Sequence, residues 1–213
     1  MNYPMMVDLI ARPVLIIGAG KVACRKCRDL VESGAVITVV APRGEDDFFK
    51  WEAEGKLIWK KRFYENGDLG GQEFVFAALN DEEMTERIVA SALKLGLWVN
   101  SADHRFPGNF MVPAKYRQGE LLFTVSTGGQ SPGLAKQVRS DLEERYGEAW
   151  AQYLELVARL REELSEQGTP KERTAFWRQV LDKELLNWVH QGRLEEVEAK
   201  IRNAARDIGG KSS

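Results

Sequence analysis

The stretch Val14-Leu15-Ile16-Ile17-Gly18-Ala19-Gly20-Lys21-Val22-Ala23 joins an apolar run to a Gly-x-Gly-x-x-Ala spacing. It reads as a buried strand emptying into a glycine turn that opens a helix, the build of a dinucleotide-binding site. Gly18 permits the tight turn, and Gly20 lets backbone approach a pyrophosphate with no Cβ in the way. Ala23, in the third small position, lets the helix lie close on the strand. The N–H groups at Lys21 and Val22, at the positive end of the helix dipole, then face the phosphates. The same spacing also occurs in purely structural turns. The strand before it and the helix pattern after it favour the nucleotide.

Other residues have chemistry of their own. The second β-branched run ends Val40-Ala41-Pro42-Arg43, with no carboxylate before Glu45 to bond ribose hydroxyls. Arg43 fits a 2′-phosphate reader, a neighbour of a ribose held by backbone and Pro42, or a solvated loop residue, and spacing does not choose among these. Asn100-Ser101-Ala102-Asp103-His104 follows the fifth strand, at the sheet edge where open parallel sheets hold their ligands. Asp103 there can serve as a general base or orient a cationic intermediate. His104 can share that work, but with only His190 besides it the histidines make a thin metal site, and no metal is expected. Ser126-Thr127-Gly128-Gly129-Gln130-Ser131-Pro132 is a second glycine turn before a helix, with Ser131 as cap and Pro132 at the first helical position. Its paired glycines suggest close approach to an anion, with Lys136 and Arg139 adding charge. Cys24 and Cys27 form a C-x-x-C, but inside the helix rather than at its start, so they read as packing residues instead of a redox or metal pair.

The elements that must position these groups alternate strand and helix: strands at 14–17, 36–41, 57–59, 74–78 and 97–100, helices near 22–32, 48–54 and 82–95. That order predicts an open parallel sheet with right-handed crossovers. The pattern then changes. Strands at 109–113 and 121–126, around a Gln118-Gly119 turn, predict an antiparallel pair, followed by a helix over 132–145. Beyond Gly147 there are only helical stripes: Trp150, Leu154, Val157, Leu160 and Leu164; then Phe176, Val180, Leu181, Leu185 and Val189; then a third helix over 194–206. The fold expected is α/β: an N-terminal Rossmann-type parallel sheet over 1–112, a small α+β segment over 113–146, and a C-terminal helical domain over 147–213.

The 213 residues suffice for that arrangement and its core. A net charge of −2 supplies no global basic field, which argues against nucleic acid. No apolar run is long enough to span a bilayer, and no basic segment leads into an apolar signal core, so a cytoplasmic location without membrane attachment is expected.

Several pieces together resemble the precorrin-2 dehydrogenase family, the siroheme-synthase N-terminal module. They are Pro4 and Leu9 before the first strand, the apolar 14–17 run, and Gly18-Ala19-Gly20-Lys21-Val22-Ala23-x-Arg25-Lys26. Gly34-Ala35, Val39-Val40-Ala41-Pro42 and Ala77-Ala78-Leu79-Asn80-Asp81 follow. Asn100-x-x-Asp103, Phe110-x-x-Pro113-Ala114 and Val125-Ser126-Thr127-Gly128-Gly129-x-Ser131-Pro132-x-Leu134-Ala135 complete the set. The order and spacing of all of them, over residues 1 to about 145, carry the resemblance; the helical remainder agrees in size and character.

The resemblance implies NAD-dependent oxidation of precorrin-2, a polycarboxylate tetrapyrrole, to sirohydrochlorin. It also implies a homodimer in which residues 114–145 exchange contacts. The family's catalytic aspartate falls on Asp103. Its NAD contacts fall on Gly18, Gly20, Lys21, Val22, Pro42, Arg43 and Asn80, a site without an acidic ribose ligand, although Arg43 keeps NADP use open. Substrate contacts fall on Ser126, Thr127, Gly128 and Gly129; some members carry at the Thr127 position a serine that is modified or lines the tetrapyrrole pocket, and threonine keeps the hydroxyl. One departure is His104-Arg105-Phe106-Pro107, where many members follow the aspartate with a small residue and proline. His104 and Arg105 thereby become candidates for pairing with substrate carboxylates. Two alternatives stand beside this reading. Some members also insert ferrous or cobaltous ion into sirohydrochlorin, with Asp103 as proton acceptor. A non-catalytic, nucleotide-sensing Rossmann module would share the glycine turn, but such modules usually carry an acid after the second strand.

Overall fold

Apolar runs without alternation suit strands buried on both faces, as in two central strands at 13–17 and 74–77, and five strands form one parallel sheet. These are β1 (Pro13–Ile17), β2 (Val36–Val40), β3 (Leu57–Lys60), β4 (Phe74–Ala77) and β5 (Trp98–Ser101), in the spatial order β3-β2-β1-β4-β5. The structure is a computed structural model describing residues 2–101 and 108–206. It divides into two units, 1–112 and 113–213. In the first, Ile17 pairs with Val40 on one side and Ala77 on the other, so the carboxyl ends of the three central strands share one edge.

Alternate residues of each strand face opposite sides. Val14, Ile16, Val39 and Phe76 pack with Ala23, Cys27 and Leu30 of α1 (Lys21–Glu32) and Phe48 of α2 (Asp46–Ala53). Leu15, Ile17, Val75 and Val99 pack with Ile88 and Ala92 of α3 (Glu82–Lys94) and with Leu69 of a short 3-10 turn, Asn66–Leu69. The connections after the adjacent strands β1 and β4 therefore leave to opposite faces, which opens a crevice at the sheet edge between them. Edge strand β3 is held by a buried carboxylate. Asp68 accepts hydrogen bonds from Arg62 at 2.6 and 2.8 Å, from Lys60 at 2.9 Å and from the Glu65 N–H at 3.0 Å.

In the second unit, β6 (Ala114–Gln118) and β7 (Leu121–Val125) form an antiparallel hairpin covered by α4 (Pro132–Arg145). Four more helices, α5 (Glu148–Glu163), α6 (Pro170–Val180), α7 (Lys183–His190) and α8 (Leu194–Ala205), enclose a core that includes Leu160, Leu185, Val197 and Ile201.

Two details differ from the sequence reading. The first strand of the hairpin is 114–118, not 109–113, because pairing of Gln118 with Leu121 closes directly across Gly119 and Glu120. The second helical stripe is two helices. Leu181 and Asp182 end α6, and the Asp182 carboxylate accepts from the Leu185 N–H at 2.8 Å to start α7.

Candidate functional site

The glycine turn sits at the mouth of the crevice, and its two glycines are there for different reasons. Gly18 has φ +99°, and a Cβ on it would collide with the carbonyl oxygen of Ala78, just past β4. The fold itself requires that glycine. Gly20 has ordinary extended backbone (φ −84°, ψ −174°), and a Cβ there would meet no protein atom within 4 Å. Nothing among the described residues demands its bareness, whereas a pyrophosphate laid against the turn would. Gly20 is also the N-cap of α1, so no side chain caps that helix, and its first turn carries no acid. The free N–H groups and the helix dipole favour an anion. The cradle fits the phosphates of a dinucleotide.

Lys21 and Val22 are exposed at this helix start, and Ala23 is fully buried against the sheet. Asn80 is exposed on the β4–α3 loop, one residue before Asp81, whose carboxylate caps α3 by accepting from the Met84 N–H at 3.0 Å. Pro42 and Arg43 are exposed beyond β2. Gly44, which the sequence reading passed over, holds their loop in place. A Cβ at Gly44 would come within 2.6 Å of the Ala19 Cβ, and the next residue, Glu45, donates its N–H to the Ala19 carbonyl at 3.0 Å. The loop that carries Pro42 and Arg43 is thus bonded to the glycine turn. Its one signal in the sequence is a glycine directly after Pro42-Arg43.

The cysteines behave as packing residues. Cys24 donates its thiol hydrogen to Asp47 at 3.2 Å, and burial followed by that carboxylate raises its pKa. Burial pushes Cys27 up to about 12. Both are free and buried, so neither offers a thiolate near neutral pH. Among the described residues no cluster of three or more metal-ligating side chains exists.

Asp103, His104 and Arg105 lie outside the described residues, but the flanks of their segment are well built. Asn100, buried at the end of β5, accepts from the Lys26 ammonium at 2.6 Å and donates to the Phe110 carbonyl at 3.0 Å. Lys26 also lies 5.4 Å over the Phe76 ring, and burial, then neighbouring Arg25, lowers its pKa. On the far side, Gly108 has φ +76°, and any Cβ would strike the Val99 carbonyl. Asn109 then acts as a one-residue strand: its side chain accepts from the Val99 N–H at 2.8 Å and donates to the Leu97 carbonyl at 3.0 Å. Asn100 and Gly108 form an antiparallel bridge, so departing and returning chain are pinned together. The sequence reading identified Asn100 and Lys26 only as pieces of a motif. Their contact, across 74 residues, carries no local signal.

The second glycine turn belongs to the other unit. Gly128 and Gly129 have φ of +63° and +84°, with open space around both. Ser126 accepts from the Gly128 N–H at 3.2 Å and Thr127 from the Ser131 N–H at 3.1 Å, while Ser131 caps α4. The paired glycines are thus explained by backbone conformation, and each hydroxyl keeps its own hydrogen for another acceptor. Arg139 is committed to Glu143 at 2.8 Å, so it lends less charge to the turn than its spacing suggested.

The sheet order, the switch point and the uncapped glycine turn define an NAD(P)-binding protein of Rossmann type. An NAD(P)-binding family profile matches residues 5–114, and a sirohaem synthase dimerisation region matches 149–204. A precorrin-2 dehydrogenase from Priestia megaterium is 36% identical over 155 residues, 73% of this chain and 76% of that protein. A siroheme synthase from Methylococcus capsulatus is 31% identical over 96% of this chain, which spans only 44% of that longer protein. A solved structure titled SirC, precorrin-2 dehydrogenase superimposes with a TM-score of 0.78 at 28% identity, covering 96% of this chain and all of the other. The chain belongs to the precorrin-2 dehydrogenase family. The dimerisation match falls on α5–α8, beyond the 114–145 stretch to which the sequence resemblance assigned exchanged contacts.

Proposed function

We propose that this chain oxidises precorrin-2 to sirohydrochlorin, removing a hydride and a proton from the tetrapyrrole. The observation that carries the reading is the open Gly20 cradle at an uncapped helix start, in a chain that matches a precorrin-2 dehydrogenase over about three quarters of each protein's length. NAD, when bound, supplies the hydride acceptor. The turn from Gly18 to Val22 holds the pyrophosphate through backbone N–H groups. Pro42 and Arg43 flank the adenosine ribose, and Asn80 flanks the crevice from the β4 side.

Asp103 receives the departing proton or orients the tetrapyrrole so that it reaches solvent. His104 and Arg105 on the same segment, with Ser126, Thr127, Gly128 and Gly129, hold substrate carboxylates. The functional division is a nucleotide-binding part over 1–112, a dimerisation and substrate segment over 113–146 and a helical part over 147–213, working as a homodimer. A cytoplasmic setting suits Cys24 and Cys27, which stay reduced there. Among the described residues no helix is long and apolar enough to cross a membrane.

Asp103→Asn tests the assignment of the proton acceptor. Turnover followed as sirohydrochlorin absorbance should fall by about 100-fold or more, while NAD affinity by fluorescence titration stays near that of the unsubstituted chain. Full activity in the variant would contradict the role given to Asp103.

A further inference from the structure

Six arginines lie between residues 148 and 205. Three have carboxylate partners: Arg159 with Glu163 and Glu198, Arg193 with Glu196, and Arg202 with Glu163 and Glu198. The other three, Arg161, Arg173 and Arg178, have none among the described residues, and all three line one cavity of about 580 Å³ between α5 and α6. No carboxylate among the described residues lines it.

The protein aims two of these guanidinium groups itself. Arg161 lies over the Trp177 ring, its guanidinium carbon 5.2 Å from the centroid, with no carboxylate partner among the described residues. Arg173 donates through Nη1 to the carbonyls of Gln167 and Gly168, at 3.2 and 2.7 Å, so its remaining N–H groups are held in a fixed direction. Arg178 is exposed beside them. Ser165 adds a hydroxyl, whereas Thr174 spends its hydrogen on the Pro170 carbonyl at 2.9 Å. Three like charges gathered without a counter-charge repel one another, and an anion bearing several oxygens would relieve that repulsion and meet the arginine forks directly. The cavity is open to solvent, so a ligand there keeps part of its surface hydrated.

We propose that this cavity is a binding site for a multivalent oxyanion, an organic polycarboxylate or a polyphosphate. The ligand class follows from the arginines and does not depend on the proposed reaction. Calorimetric titration of the full chain at low salt, with citrate, inorganic pyrophosphate and the octacarboxylate uroporphyrin, tests it and separates the two sources. At least one probe should bind, and its affinity should fall by about tenfold or more in an Arg161→Gln/Arg178→Gln double variant. Raised salt should weaken it steeply, and the KM for NAD should not change. Preference for citrate and uroporphyrin marks a carboxylate site, and preference for pyrophosphate a phosphate site. The proposal is overturned if no probe binds, or if the double variant binds each as tightly as the parent. It is equally overturned if the variant changes oligomeric state in light scattering, which would assign these arginines to contacts between copies.

Discussion

Gly18 and Gly20 look equivalent in the sequence, yet one serves the fold and the other the ligand. Gly18 combines φ +99° with a carbonyl where its Cβ would go, so Gly18→Ala should cost about 2 kcal/mol or more of stability in urea unfolding. Gly20→Ala adds a methyl group to open space at an N-cap and should cost less than about 1 kcal/mol. The same methyl stands where the pyrophosphate approaches, so the KM for NAD should rise by about tenfold. If Gly20→Ala left NAD kinetics untouched, the cradle would have no bearing on the cofactor. Residue types alone announced the turn, the helix start at Lys21 and Val22, and the packing role of Cys24 and Cys27. They did not announce Gly44, because its partner Ala19 is distant in sequence and meets it only once the sheet has formed.

Among elements, the end of β5 bears most directly on the chemistry. Lys26 from α1 and Phe110 from the returning chain both bond Asn100, three residues before Asp103. On the role proposed for Asp103, Asn100 is a positioning residue, since it fixes the strand end that precedes that segment. Asn100→Ala should lower kcat by about tenfold or more while the KM for NAD holds, and Lys26→Arg should retain more of kcat than Lys26→Met. Equal losses for Arg and Met would mean that the charge and its hydrogen bond are irrelevant. A second element, the 3-10 turn, predicts acid sensitivity. The Arg62 guanidinium, helped by Lys60 and the Glu65 N–H, holds the Asp68 carboxyl well below the usual range. A depressed carboxyl stabilises the fold above its unfolded value, near pH ~3.9, and that contribution is lost as pH falls below it. Asp68→Asn should lose about 2 kcal/mol at neutral pH, with the gap to the parent closing toward acid in pH-dependent urea melts. The central strands β1 and β4 were legible because strands buried on both faces need unbroken apolar runs. The 109–113 stretch was not, since Asn109 pairs with β5 through its side chain, and that arrangement has no signature in local spacing. The α6–α7 break was equally hidden, because the apolar stripe runs on across Asp182.

At the scale of the whole molecule, a nucleotide unit of familiar topology precedes a second unit of hairpin and helices. The second unit carries the match to a dimerisation region, so light scattering should return twice the mass of the 213-residue chain. The nucleotide site was readable in sequence because its chemistry is local: a strand, a turn and a helix start within ten residues. The substrate side was less so, since its candidates are spread over two units, with Asp103 in one and Thr127 in the other. One measurement addresses the proposed reaction most directly. Precorrin-2 generated without oxygen is mixed with the chain and NAD, and NADH formed is counted against sirohydrochlorin formed. The account predicts one NADH per sirohydrochlorin, and neither product when NAD is left out. Sirohydrochlorin formed at the same rate without NAD, or no reaction with NAD present, would contradict it.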